Sequence, residues 1–172
     1  MLLVIMSGVV SVSAQNVGGG KKAEKPPLRS WWITGVSITK SESAVMVKLA
    51  VCSEDKGLIA QLTRESWEVK ATPENTAGIV MVYDPIASID SGGPPLPKKM
   101  VGMIGRVVDD KLEALLNTEI RLKGEQDWLR LGSVIRVEGD AYSLYRCSRC
   151  GADRKSGAWK CAACGAQYGP RP

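Results

Sequence analysis

The hydrophobic positions of this chain mostly repeat with the period of β-strands. Residues 31–39 and 44–51 are rich in β-branched and aromatic side chains and are separated by a short polar segment, which predicts an antiparallel hairpin. Residues 57–65 predict a short helix or a covering loop. Strands are predicted at 67–71 and 78–83, and the second is apolar throughout, which indicates a central strand.

The second half of the chain continues the β pattern. Glycine and proline fill residues 91–97, which predicts a surface loop. Residues 101–108 predict a strand with a bulge or tight bend at its glycines. Asp109 and Asp110 are expected to cap a two-turn helix at 111–117. Three further alternating runs predict strands at 119–123, 133–139 and 141–145. Many short strands with Gly-rich turns predict a mostly β fold built on a small closed barrel.

Part of this β region resembles a known family. Residues 119–125 (EIRLKGE) and 129–139 (LRLGSVIRVEG) look like the later strands of an OB-fold. They are similar to single-stranded nucleic-acid-binding proteins of the replication protein A type, in which a glycine turns the chain sharply into a strand whose inward residues fill the barrel. Those inward residues would be Val134 together with Val137 or Ile135. The resemblance implies a small OB-type barrel that opens with the 31–51 hairpin.

Two cysteine pairs near the C-terminus carry the strongest chemical signal. Cys147 and Cys150 form one C-x-x-C-G motif, and after ten residues Cys161 and Cys164 form a second. Two such knuckles complete a tetrahedral four-thiolate site, which suits a structural Zn²⁺ ion because no coordination position stays open. Iron and disulfide bonds are the alternatives. The fifth cysteine, Cys52, lies in an apolar run and is expected to be a small buried residue.

These features divide the chain into three predicted parts. Residues 1–28 form a flexible N-terminal arm, residues 29–145 an OB-like β-barrel domain, and residues 146–172 a zinc ribbon. The arm begins with an apolar run, 1–12, for which a signal peptide, a true start at Met6 and a loosely ordered arm remain open. The run is too short to span a bilayer, so no membrane partner is expected. The cysteine usage favours a reducing, cytoplasmic location.

Composition excludes several function classes. The 172 residues include no histidine, which excludes Ser-His-Asp and Cys-His catalysis and every His-ligated metal site. No phosphate-binding glycine loop or nucleophile elbow occurs, so the chain is predicted not to be an enzyme.

The net charge of +5 is concentrated at the ends. Residues 146–172 carry six basic side chains against one carboxylate, and residues 1–29 carry four against one. Such ends suit contact with phosphate or simply solubility.

Aromatic side chains near basic ones are the candidates for nucleic-acid contact, because bases stack on rings while cations meet phosphate. The candidate set is Trp31, Trp128, Arg130, Arg149, Arg154, Lys155, Trp159 and Lys160. Trp31 and Trp32 are adjacent on a strand and point to opposite faces, so one of them is expected to be exposed. Trp159 is the best exposed candidate, since its small basic segment offers little core.

The sequence therefore predicts a non-catalytic, zinc-containing protein that binds single-stranded DNA or RNA. One alternative is a structural subunit of a larger nucleic-acid-processing complex. The exosome cap subunit is similar in order of parts, and residues 97–108 look faintly like the start of its barrel. A second alternative is an accessory protein of acyl-CoA enzymes, although those proteins usually place the ribbon before the barrel.

Overall fold

The computed structural model describes residues 28–70, 77–85, 97–106 and 112–172. These residues form nine strands, two short helices and two 3₁₀ turns. The strands are β1 (Trp31–Lys40), β2 (Ala44–Ser53), β3 (Trp67–Lys70), β4 (Ala77–Tyr83), β5 (Lys98–Arg106), β6 (Glu119–Leu122), β7 (Leu129–Arg130), β8 (Ile135–Glu138) and β9 (Ala141–Leu144). The helices are α1 (Lys56–Gln61) and α2 (Leu112–Leu116), and the 3₁₀ turns are Arg64–Ser66 and Leu131–Ser133. The predicted mostly β fold is confirmed.

The strands pair in three antiparallel sheets. Their orders are β1-β2-β5-β4, β3-β6-β7 and β8-β9. One continuous core joins them, with fully buried side chains from each sheet, among them Leu49, Met103, Ile120 and Ile135. The hydrogen bonds between the described strands do not link the sheets into a closed ring, so the closed OB-type barrel stays a prediction.

The β1–β2 hairpin forms as the sequence predicts and supplies most of the sheet's inner face. A β-bulge between Ile33 and Gly35 shifts the pairing by one residue. Trp31 and Ile33 face the core before the bulge, and Val36 and Ile38 pack against it afterwards. The bulge adds one residue to β1, so the inward residues on either side of it lie three positions apart instead of two. The side chains after the bulge therefore face the core again at every second position.

Both tryptophans of β1 are buried, so the prediction that one of them is exposed was wrong. Trp31 is 0% exposed, and its ring meets that of Trp67 edge-on at 5.0 Å between centroids. Its indole N–H donates to Glu125 over 2.8 Å. Trp32 points to the opposite face, as the strand period requires, but it is only 2% exposed because the C-terminal segment covers that face of the sheet.

The apolar strand β4 was predicted to be central, and that was also wrong. It lies at the edge of the four-stranded sheet, and Met81 on its outer side is 39% exposed. A bulge between Ile79 and Met81 lets Ile79 and Val82, three residues apart, both pack against the core. Met81 lies over Gly102 of β5, where the absent side chain leaves room for it. The apolar run therefore reflects a bulged edge strand rather than burial on both faces.

Several predictions fall outside the described residues. These are the arm up to residue 27, the loop at 91–96 and the cap at Asp109 and Asp110. Helix α2 itself lies within the predicted 111–117. Within the described ranges, no helix has the length and apolar character needed to cross a membrane.

Gly132 is a point where α2 packs closely on the 3₁₀ turn that precedes β8. A Cβ atom there would lie 3.0 Å from the Leu116 carbonyl oxygen and 3.2 Å from the Leu116 Cβ. We expect Gly132→Ala to lower the free energy of unfolding by about 1–3 kcal/mol, because backbone cannot give way as a flexible side chain can. Urea unfolding measures this change in the free energy of unfolding. Gly78→Ala is the control, since a Cβ at position 78 meets no heavy atom within 4 Å. Equal urea-unfolding midpoints for Gly132→Ala and Gly78→Ala would contradict the close packing of α2 on Gly132.

Candidate metal centre

The four predicted cysteines come together at one point. Their Sγ atoms all lie within 4.8 Å of one another, so the cluster could hold a metal ion. The sulfurs of Cys147 and Cys164 are 3.7 Å apart, and so are those of Cys150 and Cys161. A tetrahedral site with metal–sulfur bonds of about 2.3 Å places its sulfurs about 3.8 Å apart, whereas a disulfide needs about 2.05 Å. The spacing fits a four-thiolate metal site, and the cysteines are free thiols.

Each cysteine pair sits on a knuckle, and the two knuckles have the same local geometry. The Gly151 N–H donates to the Cys147 carbonyl over 2.8 Å, and the Gly165 N–H donates to the Cys161 carbonyl over 2.9 Å. Both glycines have a φ of 75°, a conformation that other residues rarely adopt. The glycine after each C-x-x-C is therefore required by the turn.

The knuckle backbone favours a thiolate at one cysteine. The pKa of Cys161 falls to about 6: burial opposes ionisation, but the Cys164 N–H, the Tyr168 hydroxyl and the Ala163 N–H favour the thiolate and outweigh burial. Burial raises the pKa of Cys150 and of Cys164, even though each accepts a backbone N–H bond. Without a cation the site therefore supports few thiolates. A bound metal ion would supply the positive charge that four thiolates need.

A buried hydroxyl beside the cysteines gives independent evidence that the site fits a metal–thiolate group. Tyr168 is 6% exposed, and its hydroxyl has no hydrogen-bond partner in the described structure other than the nearby sulfurs of Cys147 and Cys161. Its pKa is raised by burial and then by the neighbouring Cys147 and Cys161. A neutral thiol is a weak acceptor, whereas a thiolate is a strong one. Thiolates at these positions would therefore satisfy a hydroxyl that is otherwise left unpaired.

The metal centre is built against the outer face of the β1–β2 hairpin. We call residues 146–172 the ribbon. Trp32 of β1 and Cys52 of β2 share one buried cluster with the cysteines Cys147 and Cys161. The Trp32 indole N–H donates to the Gln167 carbonyl over 2.6 Å. The ribbon and the hairpin thus share a core, and Cys52 is the small buried residue that was predicted, at 0% exposure.

Polar contacts hold the first knuckle in the same place. The Ile33 N–H at the β1 bulge donates to the buried Ser148 hydroxyl over 2.7 Å. Arg29 donates to the Ser148 carbonyl over 3.0 Å. The Arg149 side chain donates to the Arg29 carbonyl over 3.2 Å and forms an ion pair with Glu54 at 2.8 Å. The side chain of Arg149 is therefore committed to holding the ribbon on the hairpin.

Three of the predicted nucleic-acid contacts, Trp31, Arg149 and Arg154, make contacts within the protein. Trp31 has no exposed surface, so it cannot stack on a base, and this part of the prediction is corrected. Arg149 binds the Arg29 carbonyl and Glu54. Both terminal nitrogens of Arg154 lie 3.4 Å from the Thr34 carbonyl oxygen, and its guanidinium stacks 4.0 Å from the Tyr168 ring. The sequence could not distinguish these arginines from free ones, because their partners lie about 100 residues away.

The remaining candidates lie at the surface. Trp159 is partly exposed, with the Lys160 ammonium 4.8 Å and the Arg171 guanidinium 6.0 Å from its ring. Lys155 is exposed. Trp128 is also partly exposed, and Arg121 lies 4.3 Å from its ring. The exposed Arg130 donates to Asn117.

The sequence analysis missed one partly exposed aromatic residue that has cations near its ring. Tyr145 has Arg136 at 4.6 Å and Arg146 at 5.3 Å from its ring. Its position next to Arg146 in the sequence could have identified it as a stacking candidate, because tyrosine stacks on bases as tryptophan does. Tyr168 was missed as well, but no local pattern marks a tyrosine that folds back on a metal centre.

Substitutions of single cysteines test the metal centre. We expect Cys150→Ser to abolish stoichiometric metal binding, because three thiolates and a hydroxyl form a much weaker site. Cys52→Ala is the matched control: it removes a buried cysteine of the same cluster but leaves all four ligands. Metal content by mass spectrometry should be one ion per chain for the wild type and for Cys52→Ala. Loss of the metal from both variants, or from neither, would contradict the assignment of ligands.

Tyr168→Phe tests whether the buried hydroxyl serves the thiolates. Removing an unpaired buried hydroxyl should leave the metal-free protein at least as stable as the wild type. The same change should weaken metal affinity about 10- to 100-fold, as loss of a group that supports a ligand does. Urea unfolding of the metal-free protein and competition with a chelator measure the two effects. A parallel loss of both would instead indicate that the hydroxyl is already hydrogen-bonded in the metal-free protein.

Comparison with known proteins adds no further assignment. No family model, curated protein or solved structure matches the chain.

Proposed function

We propose that the four cysteines hold a structural zinc ion and that the protein binds single-stranded nucleic acid without catalysing a reaction. Zinc is the ion favoured by a closed set of four thiolates with no position left for water or substrate. Iron is the other metal that takes such a set, and its visible absorption would distinguish it. The metal's role is to hold the two knuckles together in a segment that has little core of its own.

The observation that carries nucleic-acid binding is the group of unpaired cations around a partly exposed ring. In the described part of the chain Lys155, Lys160 and Arg171 form no ion pair, while Arg146 and Arg149 in the same ribbon are paired with Asp153 and Glu54. The ring of Trp159 lies among two of the unpaired cations. Single strands are bound by this combination, because bases stack on the ring and phosphates meet the cations.

Two further rings with cations lie against the ribbon and support the same function. Arg29 donates both to the Trp128 carbonyl and to the Ser148 carbonyl, which ties Trp128 to the first knuckle. The Arg154 N–H donates to the Tyr145 carbonyl over 2.9 Å. Trp128 and Tyr145 are thus joined to the basic ribbon through their carbonyl groups and add two stacking candidates to Trp159.

The cysteine outside the metal cluster favours a binding role over catalysis. Burial raises the pKa of the Cys52 thiol, so it stays neutral near pH 7 and is a poor nucleophile. No histidine is present to act as its general base. We therefore assign the chain a binding function.

A second candidate function is that of a subunit in a larger nucleic-acid-processing complex. It is favoured by exposed apolar side chains on β4 and β5, namely Val80, Met81, Tyr83 and Ile104. Apolar side chains that gather on one sheet are a common feature of protein interfaces. Co-purification with defined partner subunits would favour this candidate over a protein that acts alone.

Fluorescence anisotropy with labelled oligo(dT) and oligo(rU) of about 20 nucleotides tests the proposed function. We expect binding at low salt that falls steeply as salt rises. Trp159→Ala should weaken it about 5- to 100-fold, from the loss of one stacked base. Lys123→Ala, an exposed lysine on the β6 side, is the control and should bind as the wild type does. A wild-type protein that fails to bind either strand at low salt would overturn the proposal.

A further inference from the structure

A cleft of about 310 Å³ lies where the ribbon meets the β-sheets. Its walls come from the bulge region of β1, from β9 and from the loop that joins the two knuckles. Tyr142, Arg154, Lys155 and Gly157 are among its lining residues. A volume of this size is at the lower end of the range for small-molecule sites, which is enough for one nucleotide.

The charge of this cleft sets it apart from three others in the described structure. Arg154 and Lys155 line it and no carboxylate does. The other three clefts are each lined by at least one acid, Glu125 in two of them and Glu54 in the third. An anionic group is therefore favoured here and disfavoured in the others.

The cleft also offers an aromatic surface and an open floor. Tyr142 is 37% exposed on β9. Gly157 has a φ of 73°, and a Cβ atom there would meet no heavy atom within 4 Å. Side chains therefore leave this side of the cleft free for a ligand. Lys155 is exposed and forms no ion pair in the described residues, whereas Arg154 is fixed against Thr34 and Tyr168. One cation is free to meet a ligand while the other forms part of the wall.

We propose that this cleft holds one nucleotide of a single strand, with its base against the Tyr142 ring and its phosphate at Lys155. The assignment rests on the proposed function and adds a specific subsite to it. Trp159 follows Gly157 by two residues, so a strand that leaves the cleft along the loop reaches the Trp159 ring with its next nucleotides. Because the loop joins the two knuckles, the metal centre fixes one wall of this subsite.

Photo-crosslinking of the full chain locates the base directly. The probe is an oligo(dT) with 5-iodouracil in place of thymine, because this base crosslinks to aromatic side chains on which it stacks. The expected crosslink falls in the tryptic peptide 137–146, which contains Tyr142. It should persist in Tyr142→Phe and disappear in Tyr142→Ala. A protein that binds the probe but crosslinks only outside this peptide would overturn the subsite.

Affinity measurements separate the subsite from the wider function. Tyr142→Ala should weaken oligo(dT) binding about tenfold, as expected for one lost stack. Lys155→Gln should lower the slope of log K against log salt by about 0.7, as expected for one lost phosphate contact, while Lys123→Gln should not. Failure of the wild type to bind would overturn the proposed function and the subsite with it. Wild-type binding that neither the Tyr142 nor the Lys155 change weakens would overturn the subsite alone.

Discussion

The packing of the ribbon on the outer face of the β1–β2 hairpin is the contact on which the other features depend. An antiparallel sheet can leave one face to solvent, but an outer face that carries Trp32 and Cys52 needs a second layer to bury them. Here that layer is a segment with little apolar content, joined to the sheet by Trp32, Cys52 and the Ile33–Ser148 hydrogen bond. Such a segment keeps its shape only if something other than hydrophobic burial holds it, and a metal ion bound by the four cysteines would supply that free energy.

The same contact decides which basic side chains remain available to a ligand. Arg149 is paired with Glu54, and Arg154 is fixed against the Thr34 carbonyl and the Tyr168 ring, so both side chains are held in place. Lys155 at the cleft beside Tyr142, and Lys160 and Arg171 at the ring of Trp159, form no ion pair in the described part of the chain. A metal ion held by the four cysteines would fix the position of the loop that carries Lys155 and Trp159.

Local patterns predicted much of this structure, and the errors came from distant contacts. The hairpin, the later strands and the four cysteines follow from alternation and spacing within short stretches. The exposure of Trp31 or Trp32 could not be predicted, because the layer that covers Trp32 begins more than 100 residues later. The position of β4 was missed because a bulge lets an apolar run serve an edge strand. Tyr168 has a role only through three-dimensional proximity to the cysteines.

Amide hydrogen exchange before and after metal extraction tests the central claim most directly. The Ile33 amide reports on the contact between hairpin and ribbon, because its acceptor is the Ser148 hydroxyl. The amides of the β2–β5 ladder report on the sheet itself. We expect extraction to remove protection from Ile33 and the ribbon while the β2–β5 ladder stays protected. Unchanged protection at Ile33, or loss of protection in both places together, would contradict a metal-held layer on an independent sheet.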